Sequence, residues 1–87
     1  MARTMTQIQV AQRQVARCAY RYQSALDERQ IAVTLGYPGV VLDAADRRVE
    51  AARAALDAAW GVLQAARAAD PQAAAEDAAW EEVEAQS

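Results

Sequence analysis

Leu42, Val49, Leu56 and Leu63 recur every seven residues, and Ala45, Ala52, Ala59 and Ala66 each follow three residues later. A heptad seam of this kind, large at the first (a) position and alanine at the second (d), belongs to a helix that packs along its whole length against another helix. The wording of the sequence repeats with it: LDAADRRVEAARA at 42–54 returns as LDAAWGVLQAARA at 56–68, fourteen residues or two heptads on. Residues 8–32 carry a matching seam. Ile8, Val15 and Tyr22 take its large position, Ala11, Cys18, Ala25 and Ala32 its small one, and Arg29 interrupts the large set.

Between the two seams lies LGYPGV. Gly36 can close a helix in the left-handed conformation, Pro38 cannot continue one, and Gly39 permits a tight re-entry. A connection this short joins antiparallel neighbours. If the chain folds back there, the numbers of facing seam residues should add to a constant. Leu42 with Ala32, Val49 with Ala25, Leu56 with Cys18 and Leu63 with Ala11 all add to 74. Ala45 with Arg29, Ala52 with Tyr22, Ala59 with Val15 and Ala66 with Ile8 give the same value. Every large seam residue therefore faces a small one, which lets the helices approach closely. The arrangement resembles the antiparallel, alanine-lined packing called an Alacoil, a likeness of packing that implies no activity. Each arm is roughly 45 Å of helix at ~1.5 Å per residue.

The expected fold is thus all-α, a single domain over 1–87. It is an antiparallel coiled-coil hairpin of helices at about 5–35 and 40–69. At AADPQ, Asp70 suits an N-cap and Pro71 a first helical position, so a short helix over about 71–86 should follow. That helix either folds back to make a three-helix bundle or extends as an arm. Folded back, it would pack Trp80 and Val83 on the hairpin. It would also set an acidic row, Asp77, Glu81 and Glu84, beside a basic row on the first helix, Arg13, Arg17 and Arg21.

Composition narrows the functional classes. Alanine supplies 24 of the 87 residues, and each buries little apolar area, so a core of this size needs support from a partner or a second copy. Histidine is absent, removing the commonest general base and metal ligand. Cys18 is the only cysteine and sits in the seam, where it reads as a small buried residue rather than a nucleophile. Acidic pairs such as Asp43 with Asp46 lack the glycine spacing of a calcium loop. No phosphate loop or nucleophile elbow occurs. No catalytic activity, cofactor or metal is expected.

The net charge is −3, with four arginines and no acid in residues 1–25 and six acids and no arginine in 70–87. A three-arginine row in an acidic chain argues against nucleic acid as the partner. No apolar run approaches a membrane span, MARTMTQIQV has no signal-peptide core, and a lone cysteine marks no oxidising compartment, so a cytoplasmic protein is expected.

Apolar residues off the seam point to binding. Val10, Tyr20, Ile31, Trp60 and Val62 exceed what a two-helix seam covers, so either the third helix or a partner should cover them, and Trp and Tyr are favoured anchors of such surfaces. Trp60 precedes Gly61, a costly residue within a helix, which a close neighbouring backbone would explain. The expected function is a non-catalytic interaction or assembly module that self-associates or docks into a larger complex. Its partner-binding residues are Tyr20, Ile31, Trp60, Val62 and Trp80, with the two charged rows. The alternative is a small regulator or inhibitor, encoded by a phage or mobile element, that acts through its acidic last helix. A third reading is a secreted hairpin similar in size and shape to the WXG100 type. Here the turn reads LGYPGV without Trp-x-Gly, Trp60 and Gly61 stand adjacent inside a helix, and an aromatic-x-x-x-acid pattern occurs at Trp80 and Glu84.

Overall fold

The computed structural model describes residues 6–86, with the side chains of all of these except Asp77 and 80–86. Two long helices, α1 (Gln7–Thr34) and α2 (Gly39–Ala69), pack against each other as a hairpin, and a shorter α3 (Pro71–Gln86) follows. No strand occurs among the described residues.

α1 starts two residues later than the seam suggests, because its start is fixed by a capping box. The Thr6 hydroxyl accepts from the Gln9 N–H at 3.2 Å, and the Gln9 side-chain carbonyl accepts from the Thr6 N–H at 3.1 Å. Two amide groups that the first turn leaves without helical partners are thereby satisfied.

The helix ends in a Schellman motif. The Gly36 N–H donates to the Val33 carbonyl at 3.2 Å and the Tyr37 N–H to the Ala32 carbonyl at 3.0 Å, with Gly36 at φ 69°. Gly36 is the only described residue with positive φ, so the left-handed freedom of the turn is used there and Gly39 is an ordinary first residue of α2. We predict that Gly36→Ala lowers stability by about 1–2 kcal/mol, because the new Cβ meets the following carbonyl in this conformation. Urea denaturation followed by circular dichroism measures it, and a neutral result would mean that the turn can be re-formed without a left-handed residue.

The seam closes as its pattern requires. Ile8, Ala11, Val15, Cys18, Ala25 and Ala32 are buried on α1, with Ala45, Ala59 and Leu63 on α2. Tyr22, Leu42, Val49, Ala52, Leu56 and Ala66 are half-buried. Arg29 occupies a seam position yet is exposed, since its guanidinium leaves the interface to pair with Asp46. A second rim pair joins Arg48 to Glu28 at 3.4 Å. Both cross-helix pairs agree, to within two residues, with facing positions that add to 74. Being exposed, they orient the helices more than they stabilise them.

The tightest packing lies toward the open end of the hairpin, where Ile8, Ala11, Val15, Cys18, Ala59 and Leu63 form one cluster. α3 begins there. Asp70 caps it, its carboxylate accepting from the Ala73 N–H at 3.1 Å, and Ala73 and Ala74 pack against the cluster. The chain therefore bends at Asp70 and lays the first turn of α3 on the core. The expected packing of Trp80 and Val83, and the acidic row of Asp77, Glu81 and Glu84, lie outside the described residues.

The molecule is a rod of 51 × 29 × 25 Å with a radius of gyration of 17.4 Å. A compact chain of this length would have about 12 Å. Much of its surface is consequently far from any core.

Candidate functional site

The off-seam apolar residues singled out from the sequence all remain exposed: Val10, Ile31, Trp60 and Val62 by about half, and Tyr20 by 75%. None of them is buried by the described residues. Gly61 needs a correction, because no atom lies within 4 Å of a Cβ built on it. No neighbouring backbone among the described residues accounts for its missing side chain.

These residues do not form one patch. On the heptad in which Leu56 and Leu63 are a and Ala59 is d, Trp60 is at e and Val62 at g, on opposite sides of the seam. Tyr20 falls at f of α1, directly away from the interface. Arg13, Arg17 and Arg21 are all exposed, and their proposed acidic partners lie outside the described residues.

Two apolar grooves identify the side of the rod that differs from the rest. One, of about 480 Å³, lies at the turn, where Ile31, Tyr37, Val40 and Val41 line it and Glu28 and Arg48 stand beside it. The other, of about 500 Å³, lies at the open end between Gln7 and Val10 of α1 and Val62, Ala65 and Ala69 of α2. Ten of their fourteen helical lining residues fall at heptad positions g and c and three more at the seam position d, so both grooves open on the same flank.

Between the grooves, α2 presents Ala44, Ala51, Ala55 and Ala58 at those positions, with Arg48 the single charge from Val41 to Ala69. Ala51, Ala55 and Ala58 are exposed. The opposite flank of α2 carries Asp43, Asp46, Glu50, Arg53, Asp57 and Arg67. One side of this helix is thus solvated in the usual way, and the other, apolar apart from Arg48, has no covering element among the described residues.

The flank continues into the turn. No charge occurs from residue 30 to residue 42, and Leu35 and Val40 stand 62% and 72% exposed. The Schellman geometry holds them there. It brings Tyr37 back toward Ala32 and Ile31, the hydrophobic contact that accompanies this cap, and the turn residues beyond it have no layer beneath which to tuck.

Among the described residues there is no group of three or more His, Cys, Asp or Glu side chains placed to hold a metal ion, and Cys18 is buried. No described helix is long and apolar enough to cross a membrane. Compared with protein-family models, curated proteins and solved structures, the chain matches none.

Proposed function

We propose that this chain is a non-catalytic protein–protein interaction module that docks through the g/c flank of its hairpin. The observation that carries the reading is the pairing of two apolar grooves, at either end of one flank, with an α2 face bearing a single charge between them. Apolar surface that runs the length of α2, beside an α1 half that carries Gln14, Arg17, Arg21, Ser24 and Glu28, has the make-up of an interaction site with a polar rim. The thin alanine core supports the same reading, since a covering partner would add the buried area that the hairpin lacks.

This narrows the set of binding residues. Ile31 and Val62 belong to the docking surface, joined by Val10, Tyr37, Val40 and Val41, while Tyr20 and Trp60 stand off it. The test is native mass spectrometry of the chain recovered from its source cells. A complex larger than one chain is expected for the native sequence and for Tyr20→Arg, and its loss is expected for Val62→Arg. If Val62→Arg kept the same complex as Tyr20→Arg, or if the native chain were recovered alone, the flank would not be a docking surface.

A further inference from the structure

We infer that the partner covering this flank is a second copy of the chain, packed antiparallel so that the turn of each hairpin meets the open end of the other. The inference rests on the docking reading above and adds the identity of the occupant.

Three observations support it. The first is area. A flank ~40 Å long and ~20 Å wide presents about 800 Å² per partner, the size of a stable interface.

The second is symmetry. The two grooves sit at opposite ends of one flank, so a two-fold axis across its middle places each groove against the other groove of the second copy. An isologous contact requires this kind of self-complementary layout.

The third is charge and size register. Let Val41 of one copy meet Val62 of the other, so that facing residues of α2 add to 103. The hairpin register then makes facing residues of α1 add to 45. Arg17 comes opposite Glu28 of the second copy, Arg21 opposite Ser24, and Val10 opposite Leu35. Arg48 comes opposite Ala55, and Ala51 lies half a residue from the axis, beside Ala51 and Ala52 of the second copy. One choice of register therefore sets Val41 on Val62 and Val10 on Leu35, leaves Ile31 opposite Gln14, sets Arg17 on an opposite charge, and lets no arginine face another. Arg17 has no ion-pair partner among the described residues, and Glu28 already stands on this flank beside Arg48.

Alanines at the axis allow the two α2 helices to approach closely, repeating between chains the packing that the seam uses within one. The product is a four-helix rod in which the exposed turn residues of each copy are capped by the other.

Sedimentation equilibrium of the purified full-length chain tests this. Two chains per particle are expected at high micromolar concentration. Ala55→Arg sets an arginine against Arg48 of the second copy twice over and should weaken association on the order of a hundredfold. Ala55→Glu, of similar bulk, faces the same Arg48 with opposite charge and should retain the dimer. Ala54→Arg, equally exposed but at position f, should also retain it. Ala51→Cys should give a disulfide-linked dimer on mild oxidation and Ala54→Cys should not, because only the axis brings the two Cα atoms within ~7 Å.

A monomeric chain whose complex with a different protein is lost in Val62→Arg would overturn the second copy and leave the docking reading standing. A monomer with no flank-dependent complex would overturn both. A dimer that treats Ala55→Arg and Ala55→Glu alike, and that does not cross-link through Ala51→Cys, would overturn this arrangement.

Discussion

Leu63→Ala is expected to cost about 3–4 kcal/mol, the middle of the range for deleting a buried leucine. Leu63 is 2% exposed and shares a cluster with Ile8, Ala11, Val15, Cys18 and Ala59. The size of the loss follows from the seam. Deleting a leucine is cheapest where long neighbours can swing into the hole, and Ala11, opposite Leu63, has no side-chain torsion with which to do so. The cavity stays open and its lining loses contacts outright. A chain this short has a total stability of only about 4–13 kcal/mol, so the variant should be largely unfolded at modest urea concentration. Leu56→Ala is the control, because Leu56 is half-buried and has more room to relax. It should cost less, about 2 kcal/mol. Urea melts in the Ala55→Arg background keep association from contributing to either value. Equal losses at the two leucines would contradict the concentration of packing at the open end.

Both helices of the hairpin and their register were legible in the sequence because they rest on a period written many times over. Seam positions recur through residues 8–32 and 42–66 and constrain one another, so a local exception such as Arg29 does not shift the pattern. Asp70 and Pro71 were legible for a different reason, since each has a strong positional meaning at a helix start. The capping box of Thr6 and Gln9 was equally present in the letters, as Thr-x-x-Gln ahead of an apolar position, but the seam drew the helix start past it.

The proposed docking surface was less legible. Weighing off-seam residues by size picked out Val10, Ile31 and Val62, which lie on the proposed flank, and Tyr20 and Trp60, which stand off it, and passed over Ala51, Ala55 and Ala58, which are small but contiguous. An alanine stripe scarcely registers as hydrophobic residue by residue; it becomes visible only as a face without charge. The turn was missed for a related reason. Gly36 and Pro38 announce a connection, and connections are expected to be polar, so Leu35, Val40 and Val41 drew no attention as surface. Gly61 shows the reverse error, where a rule about helix propensity suggested a close neighbour that the described residues do not supply.

The alternation of large and small residues leads to a second large effect, one that tests register rather than burial. Ala11→Leu on its own should destabilise by about 1–3 kcal/mol, because two leucines then occupy a layer built for one and the helices must separate. Combined with Leu63→Ala, it restores one large and one small side chain to that layer with their helices exchanged. The double variant should therefore be more stable than Leu63→Ala alone, despite carrying a further substitution that is harmful by itself. A double-mutant cycle in urea should return a favourable coupling of about 2–3 kcal/mol, the range reached by residues that share a cavity. The same swap attempted out of register, with Leu63→Ala and Ala25→Leu, places the new side chain two heptads away along α1 and should give losses that simply add. Rescue from Ala25 equal to that from Ala11 would mean that the seam tolerates sliding, and a hairpin free to slide could not hold its two flank grooves at fixed positions for any partner.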